Sequence, residues 1–354
     1  MNTIHVALQA HSYNIYIQDN LLPQVATLLP QVYAGKKIAV ITDSHVCGLY
    51  GETLKDALQQ AGYEAHFIQL PAGEQSKSLE QLNFVYSSLV QAGLSRSGLI
   101  LALGGGVIGD IAGFAAATYM RGVPYVQIPT SLIAQIDSSI GGKTAINLEA
   151  GKNLAGCFYQ PKAVYIDPLL LETLPLKEYQ NGLGEVIKYG AIQNSTLLDR
   201  LQNTRSPEEM RQMMPSLIAD CCTIKKELVQ QDELDKGERQ LLNFGHTLGH
   251  AIESYFEYTG YKHGEAVALG MLQITKNSER MGLTLKGTYE RLLQVVKSCG
   301  LPFEIPKLDA NRLLELAGHD KKSQEAFINL ILLKEIGIAY IHSVPKSLLD
   351  QFLL

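Results

Sequence analysis

Nowhere does this chain run for about 18 consecutive apolar residues, so a membrane-spanning helix is not expected. The opening stretch, Met1 to Tyr16, mixes polar and apolar residues and has no apolar core of the kind a targeting segment carries. An excess of positive charge is missing too. The net charge is -5, which gives no basic field for nucleic acid, so any anionic ligand must be held by local clusters of Lys and Arg. No CxxC pair occurs among the five cysteines, Cys47, Cys157, Cys221, Cys222 and Cys299. An odd, scattered set reads as reduced thiols in a cytoplasmic protein, not a disulfide frame. The adjacent Cys221 and Cys222 read as helix positions, one of them packed, not as metal ligands. Internal repeats and low-complexity linkers are also lacking.

With 354 residues, 46% of them hydrophobic and 18% charged, the chain can bury a sizeable core in two domains or one large one. Its first half alternates strands and helices. Strand-like runs cover 37–42, 65–70, 98–103 and 125–128, and helices are expected at 46–61 and 78–92. Strands that are apolar on both faces and alternate with helices imply a parallel sheet with covered faces. From about Leu176 helical periodicity dominates, over 183–201, 208–230, 244–257, 265–281, 288–299 and 310–318, with a late strand pair at 327–333 and 338–341. The expected organisation is an α/β parallel-sheet domain over residues 1–178 and a mostly α-helical domain over 179–354, divided around Pro175 and Gly182.

Gly104, Gly106 and Gly109 form a GxGxxG pattern between a strand and a helix. Such glycines let backbone approach a pyrophosphate, while the helix N-terminus offers amides and a positive dipole. The pattern departs from the usual dinucleotide fingerprint. It follows the third strand of the run, and no acid lies between Asp110 and Asp137 to take a ribose. Asp43 ends the first parallel strand and could serve the ribose hydroxyls or cap the next helix. Glu74 and Lys77 end the second strand in the same way.

Three of the nine histidines, His246, His250 and His263, fall within 18 residues. His246 and His250 are four apart and share a helix face. Together with Glu185 upstream, two imidazoles and a carboxylate suit a catalytic zinc; spacing leaves open which two histidines bind. Position 247 is Thr, so the HExxH metalloprotease motif is absent. Cations occur in glycine-rich or short-motif surroundings at Arg121, Lys143, Lys152, Lys188, Lys225, Arg239, Lys321 and Lys322. Gly141-Gly142-Lys143-Thr144 has the look of a P-loop tail, but the first glycine of that motif is missing, which rejects a nucleotide-hydrolysing loop and leaves a looser phosphate grip.

Taken in order, the segments 104–110, 119–122, 129–132, 137–144, 151–153, 184–190, 241–253, 263–267 and 320–322 resemble the 3-dehydroquinate synthases. The resemblance runs from Asp43 to Lys322. It implies a Rossmann-like NAD-binding domain, a helical domain, an active site in the cleft between them, and a homodimer. It also implies conversion of 3-deoxy-D-arabino-heptulosonate 7-phosphate to 3-dehydroquinate and phosphate, with NAD regenerated in each cycle and zinc, or cobalt, as the metal. The implied metal ligands are Glu185, His246 and His263. The implied NAD contacts are Asp43, Glu74, Lys77, Gly105, Gly106, Asp110, Thr130 and Ser131, with Lys152 close to both ligands. Around the substrate, the resemblance places Lys225, Arg239 and Lys322 at the carboxylate, with Asn243 fixing orientation. It places Lys143, Asn153, Lys188 and, from the other subunit, Arg121 at the phosphate, with His250 facing the substrate as a proton relay or a phosphate contact. Asp137 joins the substrate set.

Two departures stand out: His45 where the family often has Asn, and Gly184 where Ala is common. Within the superfamily, another sugar phosphate cyclase or a metal-dependent polyol dehydrogenase is the alternative. A non-catalytic nucleotide sensor would be expected to have lost a metal ligand or Lys143, and both are present.

Overall fold

The computed structural model describes residues 1–318 and 326–354. These fall into two compact units. The first is Met1–Leu174 with Lys225–Gln230, and the second is Pro175–Ile224 with Gln231–Leu354.

The first unit holds strands β1 (Asn2–Val6), β2 (Tyr13–Ile17), β3 (Lys37–Asp43), β4 (Glu64–Leu70), β5 (Leu99–Gly104), β6 (Tyr125–Pro129), β7 (Lys143–Leu148), β8 (Gly151–Phe158) and β9 (Ala163–Ile166). Its helices are α1 (Val25–Leu28), α2 (Ser44–Val46), α3 (Glu52–Gln60), α4 (Leu79–Gln91) and α5 (Gly106–Thr118). Seven strands make one sheet in the order β1-β2-β9-β6-β5-β3-β4. Every neighbouring pair is parallel except the edge pair β1 and β2. β7 and β8 form a separate antiparallel hairpin.

The apolar runs sit at the centre of the sheet because both of its faces are covered. Leu99, Leu101 and Leu103 enter one core with Ile38 and Val40, while Ile100 and Ala102 enter the other with Ala39 and Ile41. The side-chain period of two sends alternate residues of one strand into two different cores. Leaving aside the edge hairpin and β2, the order β4-β3-β5-β6-β9 is the 2-1-3-4-5 arrangement of doubly wound sheets, with its switch point between β3 and β5.

In the second unit the helices are α6 (Leu176–Ile192), α7 (Ser195–Asn203), α8 (Pro207–Gln231), α9 (His246–Tyr255), α10 (His263–Arg280), α11 (Thr288–Ser298), α12 (Ala310–Gly318) and α13 (Leu349–Leu353); Lys225–Gln230 of α8 cluster with the first unit. β10 (Phe327–Glu335) and β11 (Ile338–Pro345) form an antiparallel pair. The single helix expected over 183–201 is in fact two. Gln193 and Asn194 leave helical geometry, and the Asn194 side chain accepts from Thr196 N to cap α7. Asn offers the backbone this local alternative to a continuing helix, and periodicity alone does not register it.

Among the described residues, no helix is long and apolar enough to cross a membrane.

Asp167, 3% exposed, ties the end of β9 to the segment after β2. Its carboxylate accepts from the backbone N–H groups of Asn20, Leu22 and Leu169 at 3.0, 3.0 and 3.1 Å. Hydrogen bonds to a charged group contribute about 1.5–3 kcal/mol each, and buried donors left bare cost more than the bond is worth. Asp167→Ala is therefore expected to lower stability by about 3 kcal/mol, with Asp167→Asn less harmful. Urea unfolding followed by circular dichroism measures both.

Candidate functional site

In the first unit, candidate residues gather at the carboxyl ends of β3 and β5, the two strands flanking the switch point. Thr42 pairs with Leu103, so Asp43 ends beside the glycine turn. Asp43 Oδ1 accepts from His45 N and Val46 N, both at 2.9 Å, and so caps the next helix. The capping expectation for Asp43 thus holds; its second oxygen makes neither of these bonds. α5 starts at Gly106 behind Gly105, which has no side chain to cap it. That leaves first-turn amides and the helix dipole for an anion. Thr130 is buried, and its N–H donates to Gly104 O at 3.0 Å, while Ser131 O accepts from Gln135 N. A Cβ added to Gly105 would come to 3.3 Å from Ser131 Oγ, and one on Gly106 to 3.0 Å from Ser138 Oγ, so bare backbone fits a narrow cradle here.

Lys77 is 5% exposed, and its ammonium donates to Asp110 Oδ2 at 2.6 Å and Asn153 Oδ1 at 2.5 Å. Burial pushes the Asp110 carboxyl up, and Lys77 pulls it the other way. Asn147 joins this group, although the sequence reading passed over it. Its Nδ2 donates to Glu74 Oε1 at 2.7 Å, its Oδ1 accepts from Asn153 N at 2.9 Å, and its own N–H donates to Lys77 O at 2.8 Å. Lys225 donates to the Asp137 carbonyl at 2.6 Å and pairs with its carboxylate. Lys143 is exposed at the start of β7, and Lys152 is half-buried on β8. Met120 and Arg121 both hold positive φ, 49° and 65°, which is sparsely populated for residues with a side chain.

In the second unit, Arg239 is 1% exposed and donates from Nη1 to Glu233 O at 2.6 Å. The Asp232 carboxylate shapes that loop by accepting from the N–H groups of Lys236, Gly237 and Arg239. Asn243 is exposed at the end of the same turn. Lys321 and Lys322 lie outside the described residues.

Glu185, on α6, is 1% exposed. Its Oε1 lies 3.6 Å from His246 Nε2 on α9 and 3.4 Å from His263 Nε2 at the start of α10. Its Oε2 pairs with Lys188, one turn along. One ligand atom from each of His246, His250 and His263 falls within a 4.8 Å group, so the fold gathers all three imidazoles. His246 and His263 are the two whose Nε2 atoms face Glu185. On the far side of each ring, His246 Nδ1 donates to Phe244 O at 3.1 Å and His263 Nδ1 meets Glu253 Oε2 at 3.0 Å.

Burial pushes His246 down to about 3 against the pull of Glu185, which leaves its imidazole neutral. Burial works the same way on His263, but hydrogen bonds to Glu185 and Glu253 outweigh it and push that ring up to about 10. Two imidazoles with anchored Nδ1 atoms and a shared carboxylate are the donor set of a divalent cation.

The three elements meet because α6 and α10 cross at glycine. Gly264 N donates to Asn181 Oδ1 at 2.6 Å. A Cβ on Gly264 would overlap the Asn181 carbonyl oxygen, and one on Gly184 would overlap the Gly264 carbonyl oxygen. Gly184, noted above as a departure, passes the Gly264 backbone at this close crossing.

Fold and site together define a doubly wound α/β unit joined in sequence to a helical unit that carries a carboxylate–imidazole centre. Residues 67–181 match the family described as 3-dehydroquinate synthase N-terminal, and 182–323 match 3-dehydroquinate synthase C-terminal. The 3-dehydroquinate synthase of Clostridium acetobutylicum is 51% identical over 347 residues, covering 98% of each chain. Among solved structures, a 2-deoxy-scyllo-inosose synthase in complex with carbaglucose-6-phosphate, NAD+ and Co2+ superposes with a TM-score of 0.87 at 26% identity, covering 99% of each chain. The 2-epi-5-epi-valiolone synthase of Streptomyces hygroscopicus subsp. jinggangensis, with NAD+ and Zn2+ bound, gives a TM-score of 0.88 at 28% identity, over 98% of this chain and 96% of that one. This chain belongs to the 3-dehydroquinate synthase family.

Adding one methyl group at the α6–α10 crossing tests how tightly the centre is built. Gly264→Ala is expected to destabilise the protein by about 1–3 kcal/mol, the usual cost of overpacking a full site. Thermal unfolding of the variant beside the parent measures it.

Proposed function

We propose that this chain converts 3-deoxy-D-arabino-heptulosonate 7-phosphate to 3-dehydroquinate and phosphate, with catalytic NAD and a divalent cation, zinc or cobalt. The observation that carries the reading is the convergence of Glu185 Oε1 with Nε2 of both His246 and His263 at 3.6 and 3.4 Å. In family relatives of other specificity, the bound metals are Co2+ and Zn2+, each alongside NAD+. When bound, NAD supplies a reversible hydride acceptor and the cation polarises substrate oxygens.

The chain's own residues then bind and orient. Glu185, His246 and His263 hold the cation. Asp43, Glu74, Lys77, Gly105, Gly106, Asp110, Thr130 and Ser131 hold the nucleotide, with Lys152 near both ligands. Lys225, Arg239 and Lys322 take the substrate carboxylate, and Asn243 fixes its orientation. Lys143, Asn153, Lys188, His250 and Arg121 of a second copy take the phosphate, and Asp137 lines the same ligand. Charge-assisted bonds to both anionic ends hold the reacting carbons in place, which lowers the entropic part of the barrier.

Arg239 with Lys225 and Lys322 favours an acidic substrate over a neutral-headed sugar phosphate, because a carboxylate is met by charge-assisted bonds from such cations. A polyol dehydrogenase has no use for so many cations. The unit Met1–Leu174 is proposed as the nucleotide domain, and the helical unit as the metal and substrate domain. A homodimer in the cytoplasm is the proposed state.

The purified protein, incubated with the heptulosonate phosphate, catalytic NAD and zinc, is expected to release stoichiometric phosphate with no net NADH, and a chelator should abolish the reaction. NADH accumulating from a polyol would establish the dehydrogenase instead. His246→Ala is expected to lose both bound zinc and phosphate release; metal analysis and a phosphate assay read the two separately.

A further inference from the structure

Glu253 ends the motif 241–253, yet none of the roles above uses it. It lies seven residues after His246 and three after His250, so one face of α9 presents all three side chains. Its side chain is 7% exposed, and a carboxylate so buried is costly unless it is partnered. Its partner is His263 Nδ1, at 3.0 Å. The His263 ring is thus bracketed by two carboxylates, with Nε2 turned toward Glu185 and Nδ1 toward Glu253. The second ring of the centre is held differently, since among the described residues His246 Nδ1 meets the neutral carbonyl of Phe244.

We propose that Glu253 is a positioning residue for the metal centre: through Nδ1 it fixes the tautomer and tilt of His263 and makes Nε2 the stronger of the two imidazole donors. This rests on the reading of Glu185, His246 and His263 as cation ligands. The physical basis is the charge-assisted bond. A carboxylate behind a ligand imidazole locks the ring in place and raises its basicity, whereas a backbone carbonyl does only the first of these as strongly. The two histidines are therefore inequivalent. His263 supplies the electron-rich donor and His246 an ordinary one. Glu253 touches neither substrate nor cofactor in this role.

The test is zinc affinity of metal-free protein, by competition with a chromophoric chelator, for the parent and for Glu253→Ala, Glu253→Gln, His246→Ala and His263→Ala. The visible spectrum of the Co2+ forms and the melting temperature of each metal-free form are recorded alongside. Glu253→Ala is expected to weaken zinc binding about 10–100-fold and to shift the cobalt bands. Glu253→Gln keeps an acceptor oxygen but loses the charge, and should fall between Ala and the parent. Should Glu253→Ala fail to fold, Glu253→Gln decides alone, and parental zinc affinity in it overturns the proposal. Parental affinity in Glu253→Ala, together with loss in His263→Ala, would refute the role of Glu253 while leaving the metal reading intact. A lowered metal-free melting temperature with unchanged zinc affinity would mark Glu253 as merely structural and refute it too. Full zinc retention by both histidine variants would sink the metal reading, and this proposal with it.

Discussion

The centre depends on the close crossing of α6 and α10, where Gly184 meets the backbone of Gly264 and Gly264 meets that of Asn181. Two helices this near place the residue after one glycine, Glu185, opposite the residue before the other, His263. Side chains at the crossing would hold the helix axes apart and separate carboxylate from imidazole. The crossing also explains how a fully buried glutamate is tolerated. Lys188 one turn on and the two imidazole edges surround its carboxylate, and a buried charge survives only when it is paired in this way.

A comparable economy governs the sheet. The glycine turn follows the third strand of the doubly wound run, which looked anomalous beside a fingerprint that normally follows the first. In the observed order the third strand lies next to the first, and the switch point falls between them. The turn and Asp43 therefore reach the same edge from strands far apart in sequence. No acid follows the turn closely in sequence, but Asp43 of the neighbouring strand ends beside it.

Much of this was legible from residue pattern, and the reasons differ by element. β3, β5 and β6 are largely apolar runs bounded by Gly, Pro or Asp, as strands inside a sheet covered on both faces have to be, while β4 lies at the sheet edge and carries Glu, His and Gln. β1 and β2 mix polar with apolar residues, β7 and β8 each carry a lysine, and β9 is only four residues long, so none of them stood out. The break at Asn194 depends on one side chain choosing a backbone partner. At the centre, histidine spacing and an upstream glutamate were visible because imidazoles are few. Glu253, Asn147 and Asp232 were not, because a common polar residue gains meaning only when a fold supplies its partner. Which pair of imidazoles faces Glu185 likewise required three dimensions.

Asp43 carries a consequence for how such proteins vary. Its Oδ1 is already committed to two amides of the following turn, so the carboxylate stands fixed before any nucleotide arrives. A ligand meeting it would pay nothing to order that side chain. The same economy narrows what the position accepts, since only a side chain with an acceptor oxygen, such as Asn, Ser or Thr, would keep the cap. Under the proposed nucleotide role, local folding and recognition share one carboxylate, and drift at this site must satisfy both at once.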